Sequence, residues 1–483
     1  MDEEPPLTSN PALRLQLARL RAAFVHRRPF CQGATTLPRE DGMLFYGKGP
    51  QEGSCIDLTN ASLEELRHLA ETCDPASFGI QQKDVYDESY RKAGKLDKGN
   101  FAINISPDAL GIVDAIRDEL LVEARSRREP IRAELYKLNV YGPQSFFKAH
   151  VDTPRSELMF GSLVITFPTL HEGGALVLRD DGDDGDTKGV EGGPGTECSG
   201  DGVKNANGRR EWTIDSAALL AQCATPSIAY VAFFSDIEHE VMPVLSGYRV
   251  TLTYNLYYVQ DVVGLGDAGH PSIAAQPVMP SEDVLRSTLR AMLDDPTFLP
   301  SGGNLLFGLH HRYPLSTSSE TRWRYVSERQ KELQDVASRL KGSDAMLLRA
   351  ARSNMLDTEV RMVFEDDCNE DGDTPEYVMC DHDPNLHAYV FDTYVAYFLQ
   401  ERGRYGPGGV LVDPHAQDPA NQVHWIGSMP WLRSGAVNSA EYLAYGNAGS
   451  VEYVYWRLAL LVPVGPYGKR ETRNDEDGTV VQR

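Results

Sequence analysis

The sequence predicts an α+β protein of two lobes, with its elements in the order helices, strands, helices, strands. Three observations carry that reading. Apolar residues recur at helical spacing in the first part of the chain. From Tyr136 the period changes to short β-rich runs punctuated by Gly and Pro. After a Gly/Pro-rich connector near Gly264 to Pro280, helical spacing returns before a last group of strands. The implied divisions are an N-terminal helical support region (1–130), a strand-rich core (131–262), a C-terminal α/β lobe (281–466) and a polar tail (467–483).

The elements follow in order. Leu13, Leu17 and Leu20 mark a first helix, and Ser62 with Glu65 forms a capping box at the start of a second, SLEELRHLAETC. Ser106-Pro107-Asp108 opens a third, with Leu110, Val113, Leu120 and Ala124 on its apolar face. YKLNVYG, SLVITF, ALVLR, IAYVAFF and YRVTLTYNLYYV are the strands. They are interrupted by residues 180–210, an acidic, glycine-rich segment too poor in apolar side chains to repay its ordering, read as a mobile insertion. Its DDGDDGD start lacks the terminal Glu and flanking helices of a calcium-binding EF-hand. VLRSTLRAMLDD and ERQKELQDVASRLKG are the later helices, EDDCNEDGDTPE is a second acidic loop, and WRLALLVPV is the last strand.

At 483 residues the chain can bury more than one core, and 41% hydrophobic with 24% charged residues is a globular composition. Lys and Arg number 47 against 70 acids, a net charge of −23. That balance argues against general nucleic-acid binding, which needs a basic face, and would suit a cationic partner through steering. No apolar run approaches the ~18 residues of a membrane-spanning helix. The start, MDEEPPLTSN, is acidic and proline-rich, unlike a signal peptide. Seven scattered cysteines without a CxxC pair read as reduced thiols, so a cytoplasmic or nuclear location is expected.

One spacing bears on chemistry. In KAHVDTP, His150 and Asp152 stand two apart, so on a strand they share a face and can converge on one ion. Of the twelve histidines only His150 has an Asp two residues on. Alone the pattern is weak. Downstream, FFSDIEHEVMPVLSGYRVTLTYNL supplies His239 and, ten residues later, Arg249. Two imidazoles and one carboxylate with open positions opposite form the ligand set of non-haem Fe(II) oxygenases. The guanidinium of Arg249 suits the distal carboxylate of an organic cosubstrate, and Thr251, on the same strand face, offers a hydroxyl.

On these residues the stretch from Tyr136 to Tyr257, about a quarter of the chain, resembles the prolyl 4-hydroxylase-like branch of the 2-oxoglutarate and Fe(II)-dependent dioxygenases. The matching pieces are VYGPQSFFKAHVDTP, SLVITFPTLHEGGALVLR with its Gly173-Gly174 pair, and HEVMPVLSGYRVTL. The flanks ASFGIQQKDVYDESYRKAGKL and DPTFLPSGGNLLFGLHHRYP are similar to those of large uncharacterised fungal proteins with this core. The resemblance implies a double-stranded β-helix, or jelly-roll, with His150, Asp152 and His239 as iron ligands. It also implies that Arg249 holds the 5-carboxylate of 2-oxoglutarate, aided by Tyr141 and Thr251. Tyr136 competes with Tyr141 for that role, and the family's collagen-type members have lysine where this chain has Arg249.

The activity so implied is hydroxylation of a peptidyl-prolyl or other protein side chain, with O2 consumed, 2-oxoglutarate decarboxylated to succinate and CO2, and ascorbate as a reductant. A small-molecule substrate is the enzymatic alternative. A non-enzymatic binding protein on the same scaffold is the alternative of another class. Arg179 and His171 are either pocket residues or ordinary strand-edge groups. His310-His311 and Asp381-His382-Asp383 lack a third ligand at sensible spacing. Trp425, Trp431 and Trp456 read as core or interface aromatics. Asn447 precedes Arg457 by ten residues, as His239 precedes Arg249, which suggests a degenerate, metal-free β-helix in the second lobe. The oligomeric state is not legible.

Overall fold

The computed structural model describes residues 10–24, 28–49, 53–80, 83–121, 130–180, 203–204, 209–259, 280–315, 325–366, 376–384, 390–391, 395–400, 408–426, 438–444, 450–473 and 480–482. The chain divides into two compact units, one around residues 27–182 and 192–272, the other around 273–483 together with the N-terminal helix. Among the described residues no helix is long and apolar enough to cross a membrane.

The first unit is built on two large antiparallel sheets, with three small ones beside them. The larger has seven strands in the order Phe30–Thr36, Ser227–Phe234, Met159–Thr166, Arg249–Tyr258, Ile131–Tyr141, Gly94–Asp97, Asp74–Pro75. The smaller runs Val203–Lys204, Arg210–Ile214, Leu176–Asp180, Glu238–Val241, Phe146–His150, Arg91–Lys92. Side chains of both sheets belong to one buried core, and Phe30 of the larger meets Trp212 of the smaller edge-on at 5.6 Å between ring centroids. Two antiparallel sheets over one core match the jelly-roll expectation at that level.

Alternation in the larger sheet's strands fixes its two faces. In RVTLTYNL, Val250, Leu252, Tyr254 and Leu256 are buried with Leu66 and Leu69 of one helix and Ile112, Val113 and Ile116 of another. Arg249, Thr251, Thr253 and Asn255 face the opposite way. The neighbouring strands repeat the pattern, with Leu138, Val140, Leu163 and Ile165 on the helix side and Lys137, Asn139, Tyr141, Ser162 and Thr166 on the other. The sheet therefore presents a polar face to the interior of the unit.

The helices differ from expectation in instructive ways. Leu63–Thr72 carries the expected box: Ser62 Oγ accepts from the Glu65 amide at 3.3 Å and Glu65 Oε2 accepts from the Ser62 amide at 2.8 Å. Ser106-Pro107-Asp108 opens a turn instead of a helix. The helix starts at Ile112, after Gly111 takes the left-handed φ of 71° that a side chain resists. The helix Pro11–Ala23, capped by Asn10, packs Leu13, Leu17 and Leu20 into the core of the second unit. Much of 30–102 is strand, so residues 1–130 do not form one helical support. Leucine spacing specifies a helix, not the core it joins.

The second unit has one eight-stranded sheet in which Ser450–Val464 pairs with Glu359–Asp366, Asn438–Ala444 and Gly303–Gly308. Gly303–Gly308 also runs parallel to Val423–Ile426. The helices Pro280–Asp294 and Val326–Asp335 fall where the leucine pattern puts them. Gly342–Ser353 was not anticipated. The degenerate β-helix is corrected by this topology: the described strands form one mixed sheet, not two facing ones. Arg457 donates Nε and Nη2 to the Leu309 carbonyl oxygen at 3.0 and 2.8 Å, which occupies its guanidinium, and Asn447 lies outside the described residues. Also outside them lie Trp431, most of the 180–210 insertion and most of the second acidic loop. The polar tail carries a short hairpin, Glu471–Arg473 with Val480–Gln482.

Candidate active site

The site lies on the facing surfaces of the first unit's two sheets. His150 ends the strand Phe146–His150, and the adjacent strand Glu238–Val241 sets His239 directly opposite it. Asp152 follows on the loop. One ligand atom from each of His150, Asp152 and His239 lies within 4.8 Å of the others, and His239 Nε2 is 3.8 Å from Asp152 Oδ1.

Backbone carbonyls orient both imidazoles. His150 Nδ1 donates to the Lys148 carbonyl oxygen at 2.8 Å and His239 Nδ1 to that of Ile237 at 3.0 Å. Each proton is thereby fixed on Nδ1, which leaves the Nε2 lone pair for an ion, the usual outer-shell arrangement of a ligating histidine. Ser162 Oγ donates to Asp152 Oδ2 and leaves Oδ1 toward the histidines. Phe147 stacks on His150 with ring centroids 3.5 Å apart, and Phe233 lies 4.7 Å from the His239 ring. Burial, and then the neighbouring His239, hold His150 well below the usual imidazole range, so it stays neutral and able to ligate. Two imidazole Nε2 atoms and a carboxylate within 4.8 Å of one another fit a divalent iron.

Arg249 begins its strand deeper in the unit and is 2% exposed. Its Nη2 donates to Thr166 Oγ1 at 3.4 Å, its Nε has no partner, and among the described residues no carboxylate pairs with it. Burial lowers its pKa from the ordinary guanidinium value. A buried cation left so short of acceptors fits an incoming carboxylate. Two features keep the side chain in place. Tyr141, its cross-strand partner, has its ring centroid 5.6 Å from the guanidinium carbon, and Gly174 leaves room for the stem, since a Cβ there would come within 3.0 Å of Arg249 Cδ. Thr251 is buried on the same face, in register with Thr166 and Asn139. His171 lies close enough for Arg249 to help burial keep it neutral; its Nδ1 donates to the Thr169 carbonyl oxygen and its buried Nε2 has no partner.

The structure thus brings His150, Asp152 and His239 together and places Tyr141 beside Arg249. Tyr136 stands apart, between Lys137 and Arg155. Ser162 and Thr166 were missed. Their signal was the polar half of the SLVIT alternation, which carries meaning only once the opposite face is known to be covered. Arg179 is paired instead with Glu211 at 2.7 Å and Glu240 at 2.8 Å. Away from the site, the amides of His310 and His311 donate to the buried Asp344 carboxylate, and His382 Nδ1 pairs with Asp381 at 2.6 Å. Among the described residues the only metal-ligating group of three or more is His150, Asp152 and His239.

No protein-family model and no curated protein matches the sequence. Solved structures give distant overlaps. A Pseudomonas putida prolyl-4-hydroxylase is 20% identical, with 51% of this chain and 100% of that one covered and a TM-score of 0.27. A Trichoplax adhaerens prolyl hydroxylase, in complex with a hypoxia inducible factor oxygen degradation domain peptide fragment, is 13% identical over 51% of this chain and 94% of that one, TM-score 0.27. A Burkholderia pseudomallei oxidoreductase of the 2OG-Fe(II) oxygenase family is 13% identical over 53% and 95%, TM-score 0.23. Likenesses this distant assign neither a family nor a substrate.

Proposed function

We propose that the first unit is a 2-oxoglutarate- and Fe(II)-dependent dioxygenase of prolyl 4-hydroxylase-like type, a hydroxylase acting on a peptidyl-prolyl or other protein side chain. The observation that carries this reading is the convergence of His150, Asp152 and His239, with a buried arginine on the other sheet that has no carboxylate partner among the described residues. Iron and 2-oxoglutarate, when bound, supply the oxidising power, as the cosubstrate is decarboxylated to succinate and CO2 and the remaining oxygen atom goes to a substrate C–H bond.

The protein's share is placement. His150 and His239 present Nε2 because Lys148 and Ile237 hold their other nitrogens, and Ser162 sets the Asp152 carboxylate. Arg249 and Thr166 receive the cosubstrate's distal carboxylate, with Tyr141 and Thr251 closing that end. Phe147 and Phe233 pack against the imidazoles and keep water from them. In this reading ascorbate serves as an external reductant and the protein works in the cytoplasm or nucleus. A small-molecule substrate would use the same machinery.

The test is succinate formation from 2-oxoglutarate by the full chain with Fe(II) and ascorbate under air. Wild type should turn over, and His150→Ala and Asp152→Ala should fall to background while their circular dichroism stays that of wild type. Undiminished turnover in either variant, or none in wild type across protein and metabolite extracts, would refute the reading.

A further inference from the structure

A second group of charges lies on the same polar sheet face, and the oxygenase reading does not use it. Lys137 is 7% exposed, and among the described residues its ammonium has neither a hydrogen bond nor an ion pair. The group packs on the Tyr136 ring at 4.0 Å, and Arg155 covers the same ring at 4.4 Å while donating Nη2 to the Tyr136 hydroxyl. Arg91, 6% exposed, donates to the Ser77 carbonyl oxygen at 2.8 Å and to Asn139 Oδ1 at 2.9 Å, and leaves Nε without a partner. Among the described residues no carboxylate pairs with Lys137, Arg91 or Arg155. Asp97, in register with Lys137, is paired with Lys95 at 3.1 Å. Burial first, then Arg91 and Lys95, pushes the Lys137 ammonium down to about 8.

Named contacts tie this group to the triad. Arg91 lies over the Phe147 ring at 4.3 Å, and the same ring stacks on His150. Arg155 stands three residues after Asp152 on the same loop. Cations gathered without carboxylates repel one another, and burying Lys137 and Arg91 costs stability unless something anionic answers them.

We propose that Lys137 and Arg155, backed by Arg91, form the anion-binding part of the substrate site, so that the substrate carries a carboxylate group. This deepens the oxygenase reading and rests on it only for the word substrate. The carboxylate belongs either to an acidic side chain near the oxidised residue of a polypeptide or to a free organic acid.

The test is binding to the metal-free full chain in EDTA, with saturating 2-oxoglutarate present to occupy the Arg249 end. The probes are fluorescein-labelled octaglutamate and octaglutamine, followed by polarisation. Octaglutamate should bind about tenfold more tightly than octaglutamine, and Lys137→Gln and Arg155→Gln should each remove most of that preference, about one tenfold step. Arg155 is on an exposed loop, so its substitution tests the site whatever Lys137→Gln does to the fold. Displacement of octaglutamate by N-acetylglutamate would identify a free acid as sufficient, and resistance would identify a polypeptide; either supports the site. No preference for octaglutamate, or a preference that survives both substitutions, would overturn it. The two readings fail separately. Carboxylate binding without succinate formation removes only the oxygenase, and succinate formation without acidic preference removes only this site.

Discussion

Lys137 separates function from stability at a single position. Its pKa is lower in the folded chain than the ordinary value of 10.5, so below about pH 8 both folded and unfolded states carry the proton and the full cost of burying it is felt. As pH rises from about 8 toward 10.5 the folded state loses its proton first and the cost disappears. Lys137→Met should therefore stabilise the first unit at pH 7, by up to about 3 kcal/mol, with the gain gone by pH 10.5. Urea unfolding at the two pH values measures this, and a destabilised or pH-independent variant would contradict it. His424 in the second unit acts with the same sign in a lower pH window. It is buried, both ring nitrogens lack partners among the described residues, and burial, then His415, pushes it down to about 4 from 6.5. Stability should fall as pH drops through 6.5 toward 4, and His424→Leu should flatten that limb of a melting-temperature profile. At this scale the sequence was readable where spacing forces convergence, as with His150 and Asp152. It was silent on Ser162, Thr166 and Lys137, because a polar residue in a strand looks the same whether it faces solvent or a covered site.

Between elements, the two glycines after His171 let one strand end meet another. Gly173 and Gly174 both take left-handed φ values, 75° and 70°, and Gly174 borders both Val244 and the Arg249 stem. Gly174→Ala would put a methyl 2.8 Å from Val244 Cγ2 in a conformation that alanine resists. The expected result is a loss of about 1–3 kcal/mol in stability and a cosubstrate affinity weakened about tenfold. Calorimetric titration of 2-oxoglutarate into the Fe(II)-loaded variant checks it, with unchanged affinity the contrary result. Arg249→Gln should weaken the same affinity more than any other single change at that end of the pocket. The Gly pair and the alternating strands were legible because turn chemistry and period-2 patterning are local. The late start of the helix at Ile112 was not, since Ser106-Pro107 satisfies the same capping rules for a turn as for a helix.

For the whole molecule, two compact units that share no buried cluster predict two unfolding steps. Arg470 ties the second unit's chain end by donating to the carbonyl oxygens of Gly465, Leu293, Phe298 and Leu299 at 2.6–2.8 Å. Arg470→Ala should lower one calorimetric transition and spare the other, whereas Leu163→Ala should do the reverse; one transition shifted equally by both would contradict two separate cores. Long-range assignments were the least legible part of this chain. Nothing in Leu13, Leu17 and Leu20 says that their helix belongs with residues hundreds of positions away. The repeat suggested by Asn447 and Arg457 came from spacing alone, without the pairing partners that decide a sheet.

Anaerobic equilibrium dialysis of Fe(II) against the full chain tests the proposed three-ligand ferrous centre most directly. Wild type should bind one Fe(II) per chain, and Asp152→Ala and His239→Ala should each lose it. Equal uptake by wild type and both variants, or none by wild type, would contradict the centre proposed for His150, Asp152 and His239.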